Sequence, residues 1–118
     1  MNESDARSDI AGMNVRQDAK TTALSIIADL FHQKVQVDRV FHREREFYGE
    51  CGYIVIGVSV GDTEGTVSVA DADNWHLELN VSGGVSPDVT LTMRDGADRD
   101  EEFTRNAVMM LRAVESLT

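Results

Sequence analysis

Between Tyr53 and Arg94 the chain alternates apolar and polar residues along short segments separated by turn formers. Side chains two apart on a strand share a face, so this pattern encodes a sheet with one buried side. Trp75, Leu77, Leu79 and Val81 alternate with His76, Glu78, Asn80 and Ser82, and Val89, Leu91 and Met93 alternate with Thr90, Thr92 and Arg94. Strands of a parallel sheet, buried on both faces, would read as continuous apolar runs, so an antiparallel sheet is predicted.

The other segments extend the pattern. Ile54, Ile56, Val58 and Val60 form one face of a strand, and Tyr53, Val55, Gly57 and Ser59 the other. Gly61 to Gly65 reads as a tight connection, after which Val67 and Val69 point inward. Asp71 to Asn74 marks the next turn, and Gly83, Gly84 and Pro87 break the strand before the last one. If Val81 faces Val89, the same register places His76 opposite Arg94 and Glu78 opposite Thr92.

Helical spacing flanks the sheet. Ala23, Leu24, Ile27, Leu30 and Phe31 predict a first helix over Thr21 to Lys34, with Asp18, Thr21 or Thr22 as its N-cap. Phe103, Ala107, Met110, Leu111, Val114 and Leu117 predict a second, starting near Asp98 with Glu101 completing a capping box. Met109, Met110 and Val108 widen its apolar stripe. Val35 to Glu50 reads two ways: Val40, Phe41, Glu44, Phe47 and Tyr48 fit successive helical turns, whereas Val35 and Val37 alternate, and a strand is favoured in which Phe41 and Phe47 share the phase of Val35 and Val37. That assignment draws Arg39, Arg43 and Arg45 onto the apolar side. The expected fold is a two-layer α+β domain over residues 18–118: an N-terminal helix, an antiparallel meander of four to five strands, and a C-terminal helix packed on one sheet face. Residues 1–17, polar with charges of both signs, are expected to be a flexible arm.

Composition narrows the functional classes. With 21 acidic residues against 11 basic ones the formal charge is -10, which opposes direct contact with nucleic acid or an anionic membrane. No segment has the length of continuous apolar residues that a membrane span needs, and no secretory signal pattern opens the chain. Cys51 is the only cysteine, so no internal disulfide forms and a cytoplasmic location is expected. His32, His42 and His76 show no zinc spacing. Asp71 with Asp73, and the group Asp95, Asp98, Asp100, Glu101 and Glu102, lack the ligand order of a calcium loop and read as turn and cap chemistry. No metal site, cofactor or catalytic residue is expected.

In outline, a helix, a meander and a terminal helix in a small acidic chain resembles type III secretion chaperones, and Asp88 to Met93 resembles a strand of sterol-carrier domains. The chaperone pattern has another helix within the sheet, and the sterol-carrier pattern two further strands, so neither extends over the chain. The expected function is a non-enzymatic protein-interaction module that self-associates as a homodimer or binds a protein partner. Its expected interaction face is the polar side of the sheet, carrying His76, Glu78, Asn80, Thr90, Thr92 and Arg94. Two alternatives stand beside it: a small-ligand or hydrolytic domain using that face, and an acidic inhibitor that imitates nucleic acid.

Overall fold

The computed structural model describes residues 1–15, 17–43, 53–70, 76–82, 89–94 and 99–117. In chain order they form α1 (Glu3–Ala11), α2 (Gln17–His32), β1 (Gln36–Arg43), β2 (Tyr53–Val60), β3 (Thr63–Ala70), β4 (His76–Ser82), β5 (Val89–Arg94) and α3 (Arg99–Ser116). The strands make one five-stranded antiparallel sheet in the order β1-β2-β3-β4-β5, the predicted meander. The helices pack against one face, giving the two-layer α+β arrangement. No described helix is long and apolar enough to cross a membrane. Phe47, Tyr48, Cys51, the Asp71–Asn74 turn, Trp75, the Gly83–Pro87 break, Asp95 and the cap at Asp98 lie outside the described residues.

The alternating segments behave as their period demands. Ile54, Ile56 and Val58 of β2, Val67 and Val69 of β3, and Leu77, Leu79 and Val81 of β4 are all buried beneath the helices. Val60 and Thr63 pair across Gly61 and Asp62, so the hairpin turn is two residues long. Gly61 has φ +60, the positive value that a type II′ turn requires at its first central position. The predicted five-residue connection is therefore too long: Gly65 lies within β3, paired with Val58 and Val81. There it lets α3 approach, since a Cβ at Gly65 would stand 3.1 Å from Leu111 Cδ2 and 3.2 Å from the Asn80 carbonyl oxygen.

The expected arm at residues 1–17 is corrected by α1. Asn2 accepts from the Asp5 backbone N–H at 2.8 Å, an N-cap that satisfies one otherwise unpaired donor. Ala6, Ile10 and Met13 lie one or two turns apart on one face and join the core. Lys20 Nζ donates to the Ala11 carbonyl at 3.0 Å, placing a cation on the carbonyl end of the helix. α2 begins at Gln17, so Asp18, Thr21 and Thr22 lie inside it and none is its cap; Thr21 instead donates back to the Gln17 carbonyl.

α2 is terminated two residues beyond His32 by Lys34, whose φ of 62 is left-handed. Val35 N–H donates to Leu30 and Lys34 N–H to Phe31, both at 3.0 Å, the paired bonds of a Schellman motif. Arg112 of α3 donates to the Gln33 carbonyl at 2.9 Å, closing the same end from the neighbouring helix. A side chain in this backbone region costs about 1 kcal/mol that glycine avoids. Lys34→Gly is therefore expected to raise the melting temperature by about 4 °C, read by thermal unfolding. An unchanged or lower value would mean that the Lys34 side chain offsets the backbone strain.

Along the α2–α3 seam, burial pushes the Asp29 carboxyl above its usual 3.8, and the nearby charges of Glu101 and Asp100 push it further while His32 pulls it back. Above the folded pKa the ionised group is disfavoured in the folded state, so the destabilisation is fully present at neutral pH. It disappears as pH falls through the folded value and below 3.8, because in that interval the native state binds more protons than the unfolded chain. Asp29→Asn is expected to be more stable than the parent at pH 7, with the advantage shrinking through the acid range. Urea unfolding at several pH values checks this, and a constant difference would contradict it.

α3 seats Phe103, Ala107, Val108, Leu111 and Val114 on the sheet. Leu117, expected on that stripe, is exposed, and Met109 is 64% exposed, whereas Val108 and Met110 face the core. Near the C-terminal end of α3, the Glu115 carboxylate accepts from Thr63 Oγ1 at 2.7 Å and from Asp62 N–H at 3.2 Å. This gives the buried Thr63 hydroxyl its acceptor and ties the helix to the β2–β3 turn.

Candidate functional site

The sheet face away from the helices is built by cross-strand rows. One runs Phe41, Val55, Ser68, Glu78, Thr92; the next runs Arg39, Gly57, Thr66, Asn80, Thr90; a third runs Arg43, Tyr53, Ala70, His76, Arg94. The register expected for β4 and β5 is the one observed: Val81 opposite Val89, Glu78 opposite Thr92, His76 opposite Arg94. All six residues expected on the polar face thus occupy three adjacent rows. Asn80 Nδ2 donates to Glu78 Oε1 at 2.9 Å, which orients the carboxylate along its own strand.

The β1 side of this face was assigned to the wrong phase. Val37 pairs with Val58 and Arg39 with Gly57, so Asp38 is an extra residue, a β-bulge. The bulge reverses the alternation: Val35, Val37 and Val40 are buried, whereas Phe41 shares the outer row of Val55 rather than the core phase of Val37. Arg39 and Arg43 leave the core with it, which removes the burial of charge that the uninterrupted strand implied. Gln36 Nε2 donates to Asp38 Oδ1 at 2.7 Å across the bulge.

Both arginines gather on Phe41. Their guanidinium carbons lie 5.4 Å (Arg39) and 5.3 Å (Arg43) from the ring centroid, within cation–π range. The absence of a side chain on Gly57 makes room for this, because a Cβ there would lie 2.9 Å from Arg39 Cγ. Among the described residues neither arginine has a carboxylate partner. Val55, second in the first row, is 5% exposed, and Phe41 and Tyr53 are half-buried. β2 is an interior strand; the edges of the described sheet are β1 and β5.

At one end of the face Gln36, Asp38, Arg39, Gly57, Ser59, Glu64 and Thr66 border an open depression of about 540 Å³. It mixes one cation with several acids and has no apolar floor suited to a buried ligand. Among the described residues no three of His, Cys, Asp and Glu converge to hold a metal ion. The described acids are spread over α1 (Glu3, Asp5, Asp9), α2 (Asp18, Asp29), the Asp62 turn, the strands (Asp38, Glu64, Glu78) and α3 (Asp100, Glu101, Glu102, Glu115).

Comparison of the chain with protein-family models, with curated proteins and with solved structures finds no match.

Proposed function

We propose that this chain is a non-enzymatic protein-interaction module whose helix-free sheet face is its binding surface. The observation that carries this is the Arg39–Phe41–Arg43 cluster, two arginines stacked on an aromatic ring without carboxylate partners among the described residues. Arginine and aromatic side chains are the commonest anchors of protein interfaces, and a polar surround of Ser68, Thr66, Asn80 and Glu78 fits an interface rim. The helix layer needs none of these groups to hold the core. A small-ligand or hydrolytic use of the face has the β4–β5 register in its favour, which sets His76 opposite Arg94 and Glu78 opposite Thr92. The described acids are spread over helices, strands and the Asp62 turn and, among themselves, form no single stripe of the kind a nucleic-acid mimic needs.

The test is affinity capture from the native cell with three baits: the parent chain, Phe41→Ser combined with Arg43→Glu on the sheet face, and Met109→Asp on the helix layer. A partner retained by the helix variant and lost by the sheet variant supports the proposal. Equal capture by both variants would overturn it.

A further inference from the structure

The three outer rows that cross the sheet all begin on β1, at Arg39, Phe41 and Arg43. β1 is an edge of the described sheet, and among the described residues nothing pairs with its outer side. Arg39 and Arg43 are exposed, gathered within 5.4 Å of the Phe41 ring centroid, and without a carboxylate partner among the described residues. We infer that this edge receives an extended acidic segment of a partner protein, which adds to β1 as a further strand and sets two carboxylates, four residues apart, against Arg39 and Arg43. The inference deepens the interaction-module reading and rests on it.

The spacing follows from the register. An edge strand offers a row of backbone N–H and C=O groups, and a segment added there gains main-chain hydrogen bonds while its alternate side chains supply specificity. A strand running antiparallel to β1 extends each outer row by one place. Side chains directly opposite one another have Cβ atoms about 5 Å apart, close enough for a glutamate or aspartate to meet a guanidinium. The segment therefore carries an acid opposite Arg39, an apolar side chain opposite Phe41 and an acid opposite Arg43. Guanidinium groups already held against a ring have less freedom left to lose when a carboxylate arrives.

The helix side of the same edge has room for the intervening residues. An open depression of about 490 Å³ lies between Asp9, Gly12 and Met13 at the end of α1 and Val40 and His42 of β1, so α1 does not close the edge. Val40 and His42 share rows with Ile56 and Ile54, on the buried side, so the residues opposite them point to this depression. Asp9 disfavours an acid there, which confines the acids of the segment to the outer positions.

Charge selects the occupant. Antiparallel pairing of β1 with β1 of a second copy, about a two-fold axis at Phe41, would set Arg39 of each chain opposite Arg43 of the other, and like charges directly opposite are destabilising. The same pair opposes a basic segment. The formal charge of -10 repels an acidic segment at long range, but charges more than about 8 Å apart are largely screened at physiological ionic strength, whereas the arginine contacts are local. Asp38, beside Arg39 in the bulge, accepts from Gln36.

The experiment measures fluorescence anisotropy of labelled nine-residue peptides with the full chain. The first peptide has two glutamates four residues apart, valine midway between them and threonine elsewhere. The second replaces both glutamates with lysine, and the third has the composition of the first with the glutamates three apart, on opposite faces of a strand. The parent is expected to bind the first at least about 10-fold more tightly than either of the others, and Arg39→Glu with Arg43→Glu to reverse the preference between the first two. Met109→Asp, on the helix layer, should behave as the parent, and circular dichroism establishes that each variant is folded. No binding of the first peptide at about 1 mM, equal binding of all three, or a preference that survives the arginine substitutions would each overturn the inference. Sedimentation equilibrium adds a further outcome: a parent dimer that the arginine substitutions dissociate would put a second copy on this edge and overturn it too. A cellular partner captured through the sheet face but not displaced by the first peptide would end this inference and leave the interaction-module reading standing; capture that ignores the face would end both.

Discussion

Ile10→Ala is expected to lower the free energy of unfolding by about 3 kcal/mol, within the range found for removing a buried isoleucine from a packed core. The side chain is fully buried at the centre of the α1 face that meets α2 and β1. A nine-residue helix is too short to be stable alone, so its order comes from that contact. Chemical denaturation measures the effect as a shift in midpoint at constant slope. No change would mean that the first residues behave as the unattached arm their polarity suggests.

The larger effect is expected at the other helix. Among the described residues Phe103 is the largest fully buried side chain, and Phe103→Ala should cost about 4 kcal/mol, a large share of the 5–15 kcal/mol typical of a domain. It sits in the first turns of α3, whose approach to the sheet also depends on Gly65 beneath Leu111. Thermal unfolding should fall by more than about 10 °C, and the variant should bind apolar dyes if the helix loosens. A loss below about 1 kcal/mol would mean that neighbouring side chains collapse into the space.

What could be read from the residues follows from how far each signal extends. Strands β2 to β5 repeat a period of two over enough residues to declare both their faces, whereas the register of the last pair followed only on the condition that Val81 faces Val89. α1 carries only Ala6, Ile10 and Met13 among charged neighbours; the i, i+4, i+7 spacing was present, but three residues in a polar stretch are a weak stripe. The half of the outer face on β4 and β5 was legible because polar residues there alternate cleanly. The half on β1 was not, because a single inserted residue leaves no mark on composition and little on periodicity. Its trace was the conflict of three arginines assigned to the core, a local contradiction that a change of phase resolves for Arg39 and Arg43. Lone turn glycines also mislead: Gly61 turns the chain and Gly65 serves packing, and nothing in the residues alone distinguishes them.

The extra residue at Asp38 makes β1 far more tolerant of a change in identity than of a change in length. Asp38 itself is exposed and, among the described residues, its carboxylate is held only by Gln36, so many residues should serve there. Its deletion would turn the strand over: either Val40 would be put in water and Phe41 with its arginines driven under the helices, or the first half of the strand would lose Val35 and Val37 from the core. Variation in this protein should therefore accumulate at position 38 as substitutions and almost never as gaps.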